Sequence, residues 1–155
     1  MRAVIVYESV SISQVTANVA ETIRAVLKEN EVDVDSFAVA NADKTAVKGY
    51  DALLAGAPTM GFKSSPGMIK FLESLKGEEL AGKLAAAFDT QVKFRFSGSA
   101  AKGIEGKLKE LGFKLVAEPL IAYVKGAGKN QWQFEDGEQE KAKKWAQELA
   151  ETLRK

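Results

Sequence analysis

The stretch that decides the fold is residues 3–26, which read AVIVYESVSISQVTANVAETIRAV. It opens with a continuous apolar run from Ala3 to Tyr7, which is typical of a strand buried on both faces of a sheet. Serines then occupy every second position, namely Ser9, Ser11 and Ser13. Apolar residues follow at helical spacing, namely Val15, Val19, Ile23 and Val26. The stretch therefore predicts a strand, a hydroxyl-rich loop and an amphipathic helix in succession.

The hydroxyl-rich loop leads into the predicted first helix, which runs from Ser13 to Glu29. The first backbone N–H groups of a helix have no helical partner, and the helix dipole favours negative charge at that end. We therefore expect an anion such as a phosphate to bind on this loop. The alternative is that Ser13 caps the helix while Ser9 and Ser11 are solvated.

The composition predicts one domain, residues 1–155, with a hydrophobic fraction of 46% that is ordinary for a globular protein. The net charge of +1 provides no global field that would attract nucleic acid. No apolar run approaches the roughly 20 residues of a membrane span, and the N-terminus lacks the features of a secretory signal. We expect a cytoplasmic protein with no membrane insertion and no nucleic-acid partner.

The chain contains no cysteine and no histidine. Thiol nucleophiles, histidine bases and thiolate iron–sulfur ligation are therefore excluded, and a zinc site would need carboxylates alone. We expect neither a catalytic residue nor a metal site. Any redox chemistry would need a bound organic cofactor.

Predicted strands and helices alternate along the whole chain. The strands are Arg2 to Tyr7, Val32 to Val39, Ala52 to Ala57, Leu84 to Phe88 and Phe113 to Val124. The later helices begin at Pro66, at Ser99 and near Glu135, and residues 126–131 are interpreted as a turn. The pattern predicts an α/β fold with a five-stranded parallel sheet and helices on both faces. We favour the order 2-1-3-4-5 over a Rossmann order, because the fingerprint G-x-G-x-x-G is absent after the first strand. Ligands bind such sheets at the carboxyl ends of the strands, which brings residues 8–14, 57–65 and 89–98 around one site.

Motifs at the strand ends carry a resemblance to a known family: Tyr7-Glu8-Ser9, Ala57-Pro58-Thr59-Met60-Gly61, Phe88-Asp89-Thr90 and Gly98-Ser99-Ala100. They resemble the flavodoxin family, and the resemblance covers nearly the whole chain. The fifth strand lacks the insertion of long-chain members, so the chain is similar to the short-chain form. The resemblance implies a flavodoxin-like three-layer α/β/α sandwich, FMN as cofactor and single-electron transfer between redox partners.

The first loop departs from the family pattern, which is roughly S/T-x-T-G-x-T and wraps the FMN phosphate. By resemblance the residues at these positions are Ser9, Val10, Ser11, Ile12, Ser13 and Gln14. Ile12 replaces the family's glycine, and a β-branched residue resists positive φ. Gln14 replaces the last threonine, while Ser13 can supply a lost hydroxyl.

The other two loops would meet the flavin ring. In the second loop the resemblance implies contacts from Pro58, Thr59, Met60, Gly61 and Phe62. Met60 stands at the position of a stacking aromatic, so either Met60 or Phe62 would cover the ring. In the third loop it implies contacts from Asp89, Thr90, Gln91, Phe94 and Gly98. The aromatic residues Phe94 and Phe96 either flank a ring or partner, or pack over the edge of the sheet.

Lys63, Lys93 and Arg95 belong to the loops that would rim the ring. Cations there would stabilise a reduced, anionic flavin, so we expect a less negative potential for the second electron than in acidic relatives. The basic residues of segment 93–114 either form a solvated face or favour a redox partner with an acidic docking face.

These observations leave several functions open. The leading interpretation is an FMN-binding electron carrier. The alternative, which Ile12, Gln14 and Met60 favour, is a flavodoxin-like domain that has lost FMN and serves as a partner-binding or scaffold module. A flavin-dependent reductase would need substrate space above the ring. A phosphoacceptor receiver domain would need paired acidic residues after the first strand, where Tyr7-Glu8-Ser9 stands instead.

Overall fold

The computed structural model describes residues 1–9, 14–60, 63–93, 98–129 and 131–154. The strands are β1 (Arg2–Tyr7), β2 (Asp33–Ala38), β3 (Ala52–Met60), β4 (Lys63–Ser64), β5 (Leu84–Val92), β6 (Lys114–Leu115), β7 (Leu120–Gly128) and β8 (Gln131–Phe134). The helices are α1 (Val15–Glu29), α2 (Lys44–Val47), α3 (Pro66–Ser74), α4 (Ala100–Glu110) and α5 (Glu138–Leu153).

The described strands form one eight-stranded sheet with the main order β2-β1-β3-β5-β7-β8. All neighbours from β2 to β7 run parallel, so the predicted order 2-1-3-4-5 and the predicted α/β sandwich are confirmed. The strand count differs from the prediction of five. The strand β8 is antiparallel to β7 at the edge, β4 is antiparallel to β3, and β6 is parallel to β5.

Two apolar cores lie on opposite faces of this sheet. One packs against α1 and α5 and includes Ile5, Ile23, Leu54, Phe88 and Leu149. The other packs against α3 and α4 and includes Val6, Leu53, Met68, Ile104 and Leu108. Because side chains alternate between the faces of a strand, successive residues at the end of β5 reach different helices. The Asp89 carboxylate accepts a hydrogen bond from Ala101 N of α4, and the Thr90 hydroxyl is hydrogen-bonded to the Thr16 hydroxyl of α1.

The central strands β3 and β5 are longer than predicted. We predicted that they end at Ala57 and Phe88, but they continue to Met60 and Val92. The segment 89–92 is therefore strand, and the predicted loop from Asp89 is wrong for these residues. The apolar run ends at Phe88, yet Asp89, Thr90 and Gln91 are buried, because hydrogen bonds satisfy their polar atoms.

The first helix begins at Val15, two residues later than the predicted Ser13. Its N-cap residue is Gln14, which has left-handed backbone angles of φ 53 and ψ 39. The side chain of Gln14 makes no capping hydrogen bond, and the first turn of α1 contains no acidic residue. The predicted cap Ser13 lies outside the described residues.

The C-terminal part of the sheet also differs from the prediction. The predicted strand Phe113 to Val124 is divided into β6 and β7 around Pro119, and the predicted turn at 126–131 is wrong for most of its length. The strand β7 continues through its glycines to Gly128 and pairs with β8 across an irregularity between Gly126 and Gly128. The last helix begins at Glu138 rather than near Glu135, after Gly137 with φ 84.

Candidate functional site

A cleft of about 230 Å³ opens at the carboxyl ends of the parallel strands. Its lining comes from the first turn of α1, the ends of β3 and β5, and the β7–β8 hairpin, namely Val15, Thr16, Pro58, Thr59, Met60, Thr90, Gln91, Val92, Val124 and Trp132. Two of these apolar side chains, Met60 and Val92, are each 44% exposed. Met60 and Val92 reach the cleft because β3 and β5 extend beyond their predicted ends.

A buried pair of threonines joins α1 to the sheet beside the cleft. The hydroxyls of Thr16 and Thr90 lie 2.8 Å apart within hydrogen-bonding distance. Thr16 belongs to the first turn of α1, and Thr90 belongs to β5. This bond fixes the N-terminal end of α1 against the central strand.

A second polar network is centred on Asp89, whose side chain is 0% exposed. Its carboxylate accepts hydrogen bonds from Ser99 Oγ at 2.8 Å, Ala101 N at 3.1 Å, Gln91 Nε2 at 3.1 Å and Thr59 Oγ1 at 3.3 Å. Thr59 Oγ1 in turn accepts from Ala100 N at 3.0 Å. The carboxylate therefore joins the ends of β3 and β5 to the N-terminus of α4, where the helix dipole favours negative charge.

Burial raises the pKa of Asp89 above its ordinary value of 3.8, while its hydrogen bonds to Ala101, Ser99, Gln91 and Thr59 oppose that shift. The folded protein therefore holds the Asp89 proton more tightly than the unfolded chain does. The resulting stability is fully present below the ordinary value and is lost as the pH rises through the raised folded pKa.

We expect the Asp89→Asn variant not to show this loss of folding stability with rising pH, because asparagine does not titrate. Urea unfolding of both proteins at matched pH, from below the ordinary value of 3.8 to neutral, measures the effect. The stability of the variant relative to wild type should increase with pH. Other groups cancel in this difference, including Glu73, whose pKa Lys107 and Lys76 lower to about 2. If the stability difference between the variant and wild type does not change with pH, the raised pKa of Asp89 in the folded protein is contradicted.

Two helix N-termini at this end of the sheet differ in what occupies them. At α3, the Glu8 carboxylate accepts a hydrogen bond from Met68 N at 3.2 Å. Gly67 makes room for it, because a Cβ there would lie 1.9 Å from Glu8 Oε2. At α1, the first turn contains no acidic residue, and the side chain of the N-cap residue Gln14 makes no capping hydrogen bond. Among the described residues, no carboxylate thus occupies the α1 terminus as Glu8 occupies that of α3.

The hydroxyl of Ser9 lies at the start of the loop that precedes α1. Its Oγ atom is buried and makes no hydrogen bond to any described residue. A buried hydroxyl without a partner carries a desolvation cost that a ligand oxygen can remove. A phosphate oxygen would therefore satisfy the Ser9 hydroxyl.

The sequence model of the flavodoxin family matches residues 5–145. The chain belongs to the flavodoxin family. No curated protein matches the sequence.

Solved flavodoxin structures share the fold over the full length of the chain. A flavodoxin from the domain Archaea is 24% identical, covers 100% of both chains and superposes with a TM-score of 0.80. The oxidised flavodoxin 1 of Bacillus cereus is 23% identical over 97% of this chain and 98% of its own, with a TM-score of 0.81. At these identities the likeness establishes the fold.

A larger protein contains the same fold as a part. The rubredoxin oxygen:oxidoreductase of the anaerobe Desulfovibrio gigas is 22% identical over 99% of this chain, with a TM-score of 0.79. The match covers 36% of that protein's chain. The flavodoxin fold is therefore found both alone and as a part of larger redox proteins.

The described structure brings together one group of the site residues predicted from the family. Pro58, Thr59, Met60, Thr90 and Gln91 line the same cleft. Asp89 lies beneath it and bonds to two of them. The other described residues, Ser9, Gln14 and Gly98, are not part of the cleft lining. Several predicted residues lie outside the described part of the chain, namely Val10, Ser11, Ile12, Ser13, Gly61, Phe62 and Phe94.

Sequence reasoning missed the contribution of the β7–β8 hairpin to the cleft. Trp132 of β8 and Val124 of β7 form one side of it. The alternation of polar and large apolar residues in Gln131-Trp132-Gln133-Phe134 is a strand signal that could have revealed β8. The glycines before it favoured a turn instead.

In the described part of this flavodoxin-family chain, no helix is long and apolar enough to cross a membrane. The same residues contain no group of three or more acidic, histidine or cysteine side chains that would hold a metal ion. The polar chemistry of the cleft thus comes from hydroxyls, amides and backbone groups.

Proposed function

We propose that this protein binds FMN and carries electrons between redox partners. The observation that carries the proposal is the buried Ser9 hydroxyl, which makes no hydrogen bond to the described residues. It lies at the start of the loop before α1, whose N-terminus has neither an acidic residue nor a capping side chain. A phosphate would satisfy both the hydroxyl and the helix terminus.

The remaining residues support a role for the cleft in holding the flavin ring. FMN supplies one-electron redox chemistry when bound. Thr59, Gln91 and Met60 would orient the ring, and the exposed Met60 and Val92 side chains would exclude water from its surroundings. The Asp89 network would keep these walls in place, because it bonds directly to Thr59 and Gln91.

We further propose that the redox partner has an acidic docking face. Exposed cations follow the end of β5 and lie along α4, namely Lys93, Lys102 and Lys109. Lys107 is partly neutralised, since its ammonium lies 2.5 Å from Glu73 Oε1. These exposed lysines would steer an acidic partner towards the site, and the association rate would fall as salt increases.

Titration with FMN and with riboflavin tests the phosphate assignment, because riboflavin has the same ring but no phosphate. We expect Ser9→Ala to weaken FMN binding by roughly ten- to 150-fold and to leave riboflavin binding unchanged, since a hydrogen bond to a charged group contributes about 1.5–3 kcal/mol. Flavin fluorescence or isothermal calorimetry gives both Kd values.

The matched control is Ser65→Ala. Ser65 Oγ is also buried without a partner, but it lies at the start of α3, whose N-terminus Glu8 already occupies. We expect FMN affinity to be unchanged in this variant. Equal FMN affinity in wild type and Ser9→Ala would refute the phosphate assignment. Failure of the wild type to bind FMN would refute the proposed function.

The second candidate function is a flavin-free module that binds a protein partner. Two observations favour it: the cleft of about 230 Å³ is smaller than most ligand pockets, and Gln14 has the left-handed backbone that is costly for a residue other than glycine. In that case the exposed Met60 and Val92 would contact the partner. A wild type that binds neither FMN nor riboflavin is the result that would support this function.

A further inference from the structure

We propose that Trp132 is the aromatic wall of the cleft and stacks against a planar conjugated ring, which makes it a determinant of ligand affinity. The inference rests on the proposed function, because the ring that Trp132 would contact is that of the bound flavin. It concerns the β7–β8 hairpin, whereas the family resemblance points to the loops after β3 and β5.

The strand register explains how the chain places Trp132 at the cleft. Trp132 pairs with Gly126 across the hairpin, and a Cβ on Gly126 would meet no atom within 4 Å. The position opposite Trp132 on the neighbouring strand therefore carries no side chain, and the space around it is open. Phe134, two residues on and on the same face, packs against the core under α1 and α5. Trp132 is only half-buried, so part of its ring faces the cleft.

The cleft has the polarity that a flat heteroaromatic ring requires. Its apolar surface comes from Trp132, Val124, Val92 and Met60, while its polar atoms come from Thr59, Thr90, Gln91 and Thr16. Apolar walls stack against the faces of such a ring, and polar groups pair with its edge. Among the residues that line this cleft, Trp132 is the one aromatic side chain. It therefore offers the largest flat surface to a ligand.

Trp132 also lies close to the start of α1. Its side chain borders a second surface cleft, together with Val15, Asn18 and Thr22 of α1. The indole thus lies beside the first turns of α1, which the Thr16–Thr90 hydrogen bond holds against β5.

The test compares Trp132→Ala with Trp132→Phe in FMN and riboflavin titrations. We expect Trp132→Ala to weaken both ligands about tenfold, because both share the ring, and Trp132→Phe to recover most of the affinity. This pattern differs from Ser9→Ala, which is expected to weaken FMN alone. Bound flavin should also regain fluorescence in Trp132→Ala, since the stacked indole that quenches it is gone.

The second tryptophan, Trp145, provides the control. It belongs to α5 and donates its Nε1–H to Glu118 O at 2.8 Å, and it does not line the cleft. We expect Trp145→Phe to bind both flavins as wild type does. Because Trp145→Phe leaves Trp132 as the one tryptophan of the chain, its fluorescence also reports directly on the proposed contact. Saturating FMN should reduce the acrylamide quenching of Trp132 in that variant, which tests the inference even if Trp132→Ala does not fold.

The outcomes separate the two proposals. If wild type binds FMN but Trp132→Ala retains its affinity and quenching, or if FMN does not shield Trp132 from acrylamide, the inference is wrong and the proposed function stands. If wild type binds no flavin, both are wrong.

Discussion

Replacing Gly56 with alanine is expected to lower the free energy of unfolding by about 3 kcal/mol, because overpacking a tight core forces backbone and side-chain shifts. Gly56 pairs with Phe88 on the neighbouring strand, and an added Cβ would lie 2.0 Å from Phe88 Cε2. The Phe88 ring is fully buried in the core under α1 and α5, so it cannot move aside without displacing other side chains. Urea unfolding of the purified variant measures the loss.

The matched control for this prediction is Gly103→Ala in α4. Gly103 is exposed, and a Cβ there would meet no atom within 4 Å. Alanine should stabilise the helix by about 0.5–1 kcal/mol, because it is the better helix former. An unfolding midpoint of Gly56→Ala equal to that of wild type would contradict the close approach of Phe88.

Replacing Asp89 with alanine has the second large expected effect, a loss of about 3 kcal/mol, because buried donors left without an acceptor cost about 1–3 kcal/mol each. The donors that lose this acceptor are Ser99 Oγ, Ala101 N, Gln91 Nε2 and Thr59 Oγ1. The desolvation cost of the buried carboxylate, which also raises its pKa, offsets part of that loss. Thermal and urea unfolding at neutral pH give the value.

The comparison with Asp89→Asn separates the loss of the acceptor from the loss of charge. Asparagine keeps an oxygen that accepts from Ser99 or Ala101, so we expect this variant to be more stable than Asp89→Ala. The network also bonds to the cleft residue Thr59, so Asp89→Ala should also weaken the proposed binding of flavin. An Asp89→Ala variant as stable as wild type would show that the network contributes little to the fold.

The parallel sheet follows from local signals in the sequence, and the absence of G-x-G-x-x-G after the first strand favoured the order that the structure has. Apolar runs such as Ala3 to Tyr7 mark buried strands. The segments between these runs have apolar residues at helical spacing, and a helix that connects two strands makes them run parallel. The ends of β3 and β5 do not follow from these signals. Thr90 is polar but buried because its partner Thr16 lies 74 positions away, and no local pattern reveals a hydrogen bond at that distance.

The candidate site was predictable to the extent that it depends on motifs. Pro58, Thr59 and Met60 follow a recognisable strand, and the structure places them in the cleft. Trp132 was missed, because the glycines at the end of β7 resemble a turn and outweighed the alternating strand signal of residues 131–134. The N-cap at Gln14 was also missed, since a glutamine with positive φ has no signature in the sequence.

The visible absorption spectrum of the purified protein, recorded before and after addition of FMN and gel filtration, tests the central claim most directly. We expect a flavin band that elutes with the protein and has quenched fluorescence, because the Ser9 hydroxyl and the α1 N-terminus would bind the phosphate while the cleft holds the ring. A protein that elutes without flavin after incubation with excess FMN would contradict the electron-carrier account.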